Sequence, residues 1–228
     1  MAEAIEGTRN LLKPIMDTLF DKSYVTWEKL WAPYDQSTYD TVLQSIQPSD
    51  TVLEIGAGDL RLSWQVARIA RKVFAIEIHP EIIHQARSAS FHSFPDNLEV
   101  VCGDACEIPY PSGVTVGILL MRHCTHFSLY ASKLKAIGCK ALVTNARWRM
   151  GVEVVDLQKE RVPFEAVKLG WYACWCGATG FVTGPAEAYT PELDQRIAEV
   201  SACPACAHLL TEPYRISTKL EDPAKFNT

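Results

Sequence analysis

A short glycine-containing stretch in the first third of the chain has the composition of a ligand-binding loop. The β-forming run at 51–55 (T-V-L-E-I) stops at a G-A-G sequence at 56–58, and Asp59 follows as a candidate helix cap. Glycines between a strand and a helix let the backbone turn tightly and approach a ligand. Arg61 replaces the third glycine of the dinucleotide pattern, and the P-loop pattern is absent. The stretch indicates a nucleoside contact without a phosphate grip, although a plain turn also accounts for two glycines.

Two further acidic residues stand where the next apolar runs end. Glu77 lies at the end of the run at 73–78, and Asp104 follows the run at 98–102. A carboxylate at the first place can accept hydrogen bonds from both ribose hydroxyls, and one at the second place can accept from an adenine amino group. Singly, Glu77 could be a solvated strand end and Asp104 an Asx turn. Together with Glu54, they form three acidic strand ends in successive units, which favours a nucleoside site.

Alternating strands and helices must position these residues. Strands are predicted at 51–55, 73–78, 98–102, 114–121 and 140–145, with helices at 59–71, 81–90 and 128–137. Near-continuous apolar strands separated by helices are typical of a parallel sheet covered on both faces. The predicted fold class is therefore α/β, with a Rossmann-like sheet covered by helices. Two later runs, 152–156 and 164–172, are predicted to be strands that could form an antiparallel pair.

The glycine loop and the acidic strand ends together resemble known motifs. The sequences E-I-G-A-G-D-L-R-L-S, A-I-E-I and G-D-A-C are similar to motifs I, II and III of class I S-adenosylmethionine-dependent methyltransferases, over residues 38–145. Of the class I families, the rRNA adenine dimethyltransferases have the motif sequences that these three most resemble. The resemblance implies that Glu77 binds ribose, Asp104 binds the adenine N6 and Ile78 packs on the adenine ring. The other cofactor-binding residues that it implies are Glu54, Gly56, Ala57, Gly58 and Ala105.

The chain departs from that family at two places. Leu60 stands where the third glycine belongs, so it adds bulk either at a close helix–sheet contact or beside the methionine end of the cofactor. Glu54 would organise the loop or reach the cofactor amine. The Asn-Pro-Pro-Tyr-type motif after the fourth strand is absent from 120–127 (L-M-R-H-C-T-H-F). The resemblance therefore implies an S-adenosylmethionine-dependent methyltransferase. It also implies that the methyl acceptor is RNA, because the resembled family methylates RNA. A small-molecule or protein acceptor, or a non-catalytic S-adenosylmethionine-binding scaffold, remains the alternative.

Residues after the fourth strand are the candidates for chemistry. His123 and His126 lie where the transferred methyl group should be, and either could act as a general base because histidine titrates near neutral pH. Arg122 could orient an anionic substrate through a bidentate contact. Each histidine could equally be a helix cap or a solvated loop residue.

Four of the eight cysteines fall into two short-spaced pairs. Cys174 and Cys176 form one pair and Cys203 and Cys206 the other, and four thiolates satisfy a tetrahedral zinc ion with no open position. The prediction is a structural zinc site in a ribbon-like unit. His208 could replace one cysteine as a ligand. A pair of disulfides, or four reduced thiols in a core, would produce the same spacing without a metal.

The segments around these motifs suggest four parts. They are an N-terminal helical lid at 1–48, a methyltransferase domain at 49–172, the zinc-binding unit at 173–210 and a flexible tail at 211–228. The lid holds an aromatic cluster that could close over the cofactor or simply pack on the sheet: Tyr24, Trp27, Trp31, Tyr34 and Tyr39.

Composition limits the classes of partner. The chain has 228 residues and a net charge of −5, so it is not a general polyanion binder, although a local basic patch stays possible. Its hydrophobic content of 48% excludes intrinsic disorder. No apolar stretch approaches the ~18 residues of a membrane helix, and the N-terminus lacks the layout of a signal peptide. A cytoplasmic protein without a membrane partner is expected.

Overall fold

The computed structural model describes residues 33–89, 94–122, 124–147 and 151–206. Most of the predicted lid, the tail, His123 and His208 lie outside these residues. Two compact units divide the chain, one ending at Glu160 and the other beginning at Arg161.

A six-stranded sheet forms the first unit. Its strands are β1 (Thr51–Ile55), β2 (Lys72–Glu77), β3 (Leu98–Cys102), β4 (Val116–Leu119), β5 (Ala141–Thr144) and β6 (Glu153–Asp156). The spatial order is β3-β2-β1-β4-β5-β6, with β1 to β5 parallel and β6 antiparallel to β5. Every residue of β1 and β4 is buried. The predicted parallel, Rossmann-like α/β sheet is confirmed, and its order reverses between β1 and β4, where such sheets bind ligands.

Helices flank the sheet. They are α1 (Gln36–Gln44), α2 (Arg61–Ala67), α3 (Pro80–Ala89) and α4 (Phe127–Ala136). Asp35 caps α1 by accepting a hydrogen bond from the Thr38 backbone N–H at 2.8 Å. Gly117 in β4 lets α4 approach closely, since a Cβ there would lie 2.5 Å from a methyl carbon of Leu134. The helices thus cover a core that fixes the strand ends where the site residues lie.

The second unit is a smaller three-stranded sheet. Strand β7 (Gly170–Cys174) lies between β8 (Thr179–Val182), to which it is antiparallel, and β9 (Ile197–Val200), to which it is parallel. The short helix α5 (Pro191–Asp194) precedes β9.

Three predictions about the segment that follows β5 differ from the structure. The run at 164–172 is not one strand, because Phe164–Ala166 forms a 3-10 turn and the strand begins only at Gly170. It does not pair with the run at 152–156, since β6 takes its hydrogen bonds from β5. The second unit starts at Arg161 rather than at 173, because Val162 bridges to Val200.

Within the described residues, no helix is long and apolar enough to cross a membrane.

Candidate nucleoside-binding site

A cavity of about 520 Å³ opens at the carboxyl ends of strands β1 to β4. This volume lies within the range of small-molecule sites, about 300–1,000 Å³. All eight residues that the sequence resemblance assigns to a cofactor line the cavity: Glu54, Gly56, Ala57, Gly58, Glu77, Ile78, Asp104 and Ala105. The fold therefore brings together residues that lie far apart in the chain.

The glycine loop after β1 is fixed to the neighbouring strand. The backbone N–H groups of Gly56 and Ala57 both donate to the Ile76 carbonyl at 2.9 Å. Gly56 and Gly58 have φ angles of 72° and 55°, which glycine adopts without steric cost. A Cβ on Gly56 would lie 2.9 Å from the Met121 methyl carbon. Backbone geometry thus requires both glycines, and close approach is a second requirement at Gly56.

Leu60 is the single described non-glycine residue with a positive φ, at 65°. Its side chain is fully buried in the core of the first unit, and it precedes α2 without a side-chain cap. A left-handed conformation costs a leucine about 1–2 kcal/mol. Glycine adopts a left-handed backbone without steric cost, whereas here the burial of the leucine side chain offsets the strain.

Glu77 is buried at the end of β2 and holds the loops on both sides of it. One carboxylate oxygen accepts from the Gly58 N–H at 2.8 Å, and the other accepts from the His79 N–H at 3.0 Å. Each oxygen keeps a further lone pair for a ligand hydroxyl. The side chain thus shapes the glycine loop and still offers the bidentate acceptor that a ribose diol needs.

Asp104 lies in an exposed turn after β3. Its Oδ1 accepts from the Cys106 N–H at 2.8 Å, so the Asx turn expected as the alternative is present. The turn is held by Lys133 of α4, whose ammonium donates to the carbonyls of Ala105, Cys106 and Ile108 at 2.7–2.8 Å. Lys133 was missed by sequence reasoning, because no local pattern links it to a turn 25 or more residues earlier.

Glu54 lies beneath the glycine loop and is buried. Its Oε2 accepts a hydrogen bond from the Ser63 hydroxyl of α2. Burial raises the pKa of Glu54 to about 8, against an ordinary value of 4.5, and the carboxylates of Asp59 and Glu77 act in the same direction. At neutral pH the side chain is therefore largely protonated until a cation approaches it.

Aromatic and cationic groups also line the cavity. The Tyr34 backbone N–H donates to the Tyr39 hydroxyl at 3.2 Å, and the Arg122 backbone N–H donates to the Tyr34 hydroxyl at 3.2 Å. Burial raises the pKa of Tyr39 to about 12. Arg61 forms a bidentate ion pair with Asp59. Of the predicted aromatic cluster, these two tyrosines line the cavity and the three other members lie outside the described residues.

The predicted general base His126 does not line the cavity. His126 precedes α4, its Nδ1 lies 3.5 Å from the Thr125 hydroxyl, and it is not among the side chains that line the cavity. Ile78 lines the cavity with 52% of its surface exposed, as a platform for a flat ring would be.

In the second unit, all four predicted cysteine ligands come together. The sulfur atoms of Cys174 and Cys206 lie 3.6 Å apart, those of Cys176 and Cys203 3.7 Å apart, and those of Cys203 and Cys206 4.0 Å apart. All four sulfurs lie within 4.8 Å of one another. They extend from two turns, one joining β7 to β8 and the other following β9.

Comparison with known proteins finds a family match within the first unit. Residues 52–138 match a methyltransferase domain family. The chain is 39% identical over 69 residues to a probable ribosomal RNA small subunit methyltransferase A of Methanosarcina mazei. This alignment covers 29% of this chain and 24% of that protein. The chain is 33% identical over 75 residues to the mitochondrial ribosomal RNA small subunit methyltransferase of Arabidopsis thaliana, covering 32% and 20%. The chain therefore spans about a quarter of the length of the curated relatives it matches.

The sheet order and the loop after β1 agree with this match to a methyltransferase domain and with the class I motifs read from the sequence. Within that class the domain resembles the rRNA adenine dimethyltransferases, as its motifs predicted. A dimethyladenosine transferase structure from Plasmodium falciparum overlaps with 27% identity and a TM-score of 0.42, covering 48% of this chain and 41% of that one.

Proposed function

We propose that this protein binds S-adenosylmethionine and transfers its methyl group to RNA. The observation that carries the proposal is the convergence of Gly58, Glu77 and Asp104 on one cavity at the carboxyl ends of three adjacent strands. The matched relatives are named as ribosomal RNA methyltransferases, which supports an RNA acceptor.

The residues present fit this cofactor. The two Glu77 oxygens can accept from the ribose hydroxyls, and Asp104 can accept from the adenine amino group while Ile78 covers the ring. The glycine loop leaves room for the methionine part because it has no side chain at Gly56 or Gly58. Glu54, which is largely protonated when the cavity is empty, can give up its proton to pair with the cofactor's ammonium. When bound, the cofactor supplies an electrophilic methyl group on a sulfonium.

The protein's part in the reaction is to hold the acceptor in line and to accept its proton. His123 and His126 remain the proposed general bases, because both follow β4 in the sequence. His126 would need to turn toward the cavity from its position before α4.

A scaffold that binds S-adenosylmethionine without transferring its methyl group is the second candidate. The observation that favours it is the sequence after β4, Leu120-Met121-Arg122, which supplies no Asn-Pro-Pro-Tyr-type grip on an exocyclic amine. The two candidates therefore differ in whether the bound cofactor turns over.

Transfer of a tritiated methyl group from S-adenosylmethionine tests both candidates. The purified protein is incubated with total RNA, with a protein extract and with a small-molecule extract, and label is followed after nuclease or protease treatment. Nuclease-sensitive label supports the proposal. Label only in protein or small molecules contradicts the RNA acceptor. No label in any pool, with cofactor binding intact, favours the scaffold. The Glu77→Gln variant gives the background.

We also propose a structural zinc ion on the four clustered cysteines. A tetrahedral site with Zn–S bonds of about 2.3 Å has sulfur–sulfur edges of about 3.8 Å. Three of the six sulfur–sulfur distances run from 3.6 to 4.0 Å, and all six are within 4.8 Å. Four sulfurs leave no position for water, so the ion would hold the two turns together rather than catalyse. The cytoplasmic location expected from the sequence stays a prediction.

A further inference from the structure

Arg122 is a cation at the cavity that forms no ion pair within 4 Å with any described residue. It follows β4 and lines the cavity, and its guanidinium lies 5.0 Å from the centre of the Tyr34 ring. Its Nε is buried and has no hydrogen-bond partner, and the guanidinium forms no ion pair with any residue in the described ranges. A buried donor of this kind is costly unless a ligand satisfies it.

Two other ionisable groups of the cavity lining already have protein partners. Asp59 takes Arg61 in a bidentate ion pair, and Glu54 is hydrogen-bonded to Ser63. Among the arginines in the described cavity lining, Arg122 is therefore the one whose guanidinium is available to bind an anionic group of a ligand. A stacked, planar guanidinium is well suited to a two-oxygen contact with a carboxylate.

The strand order indicates which anion this is. Asp104 follows β3, Glu77 ends β2, the glycine loop follows β1 and Arg122 follows β4, in the spatial order β3-β2-β1-β4. Neighbouring strands lie about 4.8 Å apart, so Asp104 and Arg122 mark the two ends of a row about 14 Å long. A nucleoside with its base at Asp104 and its sugar at Glu77 directs its tail toward Arg122.

We propose that Arg122 binds the carboxylate of the cofactor's methionine tail, held in orientation by the Tyr34 ring. This inference rests on the proposed function, since it takes the base and ribose positions from it. It adds the recognition of the amino-acid end, which neither the glycine loop nor the acidic strand ends can provide by charge.

Two ligands that differ only in the carboxylate test the inference. S-adenosylhomocysteine carries the carboxylate, and its decarboxylated analogue, S-adenosyl-3-thiopropylamine, does not. Binding of both is measured by titration calorimetry on the full chain and on its Arg122→Gln variant. We expect Arg122→Gln to weaken S-adenosylhomocysteine binding by about ten- to a hundredfold and to leave the analogue's affinity unchanged. Arg122→Lys should recover part of the loss, and the exposed Arg68→Gln should lose nothing.

The outcomes separate this inference from the proposed function. An equal loss for both ligands, or no loss for either, overturns the role of Arg122 while leaving the cofactor site in place. If the parent protein binds neither ligand, the proposed function itself fails. Retained binding of the decarboxylated analogue shows that the variant is folded.

Discussion

Glu77 and Gly58 are joined by a 2.8 Å hydrogen bond from the glycine N–H to the carboxylate, between a strand end and the loop of the neighbouring strand. The other Glu77 oxygen accepts from the His79 N–H. One buried side chain therefore fixes the two backbone segments between which a ribose would lie. A residue predicted only to bind a ligand also builds the site that the ligand enters.

Replacing Glu77 by glutamine should damage both roles. The amide group would face one of the two backbone N–H donors, leaving that donor unsatisfied at a cost of about 1–3 kcal/mol. We expect the free energy of unfolding to fall by that amount in urea titrations, and S-adenosylhomocysteine affinity to fall at least about tenfold. Glu99→Gln is the matched control, because Glu99 forms an exposed ion pair with Lys72. Equal effects in the two variants would contradict the assignment.

Glu54 should make stability depend on pH. Because burial raises its pKa to about 8 from 4.5, the native state binds more protons than the unfolded chain between these values. The free energy of unfolding should therefore fall as pH rises from about 4.5 to about 8, by roughly a few kcal/mol in total. Urea titrations at several pH values measure this slope.

Glu54→Gln is the control for that slope. The amide oxygen can still accept from Ser63, but the side chain no longer titrates. We expect a flatter pH profile and higher stability than the parent at pH 8. A profile as steep as that of the parent would assign the slope to other groups.

Leu60 allows a test of backbone strain against burial. Leu60→Ala keeps the left-handed strain and leaves a cavity, at a cost of about 2–5 kcal/mol. Leu60→Gly leaves the same cavity but relieves the strain, so it should be about 1 kcal/mol more stable than the alanine variant. Leu62, buried inside α2, is the matched site, and there glycine should be about 1 kcal/mol less stable than alanine. The same order at both positions would mean that Leu60 is not strained.

Lys133 should support adenine recognition through the turn that carries Asp104. Lys133→Met removes three hydrogen bonds to the turn's carbonyls while keeping the apolar stem. We expect weaker binding of S-adenosylhomocysteine and a much smaller loss for its inosine analogue, which lacks the adenine amino group. Lys135→Met, at an exposed position of the same helix, should change neither affinity. An equal loss for the two ligands would make Lys133 a purely structural residue.

The cysteine cluster predicts one zinc ion per chain. Native mass spectrometry of the purified protein should show the added mass of one zinc ion. Cys176→Ser or Cys203→Ser should lower the fraction of chains that carry zinc, because each substitution weakens the tetrahedral site. Cys102→Ser, at an exposed cysteine outside the cluster, is the control. Zinc-free protein with all four thiols reduced would remove the metal proposal.

The sequence alone determined the parallel sheet and the place of the site on it. Short runs of apolar and β-branched residues define strands locally, so β1 and β3 were predicted with their observed bounds. The loop and the acidic strand ends then had to share one edge, because all parallel strands end on the same side. The cysteine pairs were found in the same way, since two short spacings suffice to place sulfurs on two turns.

The tertiary structure alone decided the contacts between distant segments. The strand predicted at 164–172 begins only at Gly170, because Phe164–Ala166 forms a 3-10 turn whose Phe164 ring packs against Tyr172. The pairing of β6 with β5 was likewise not predictable from local sequence. The left-handed Leu60, the Lys133 clamp on the Asp104 turn and the stacking of Arg122 on Tyr34 have no local signature. The spacing of apolar side chains predicts which face of a helix or strand is buried. It does not predict which side chains of other elements contact that face.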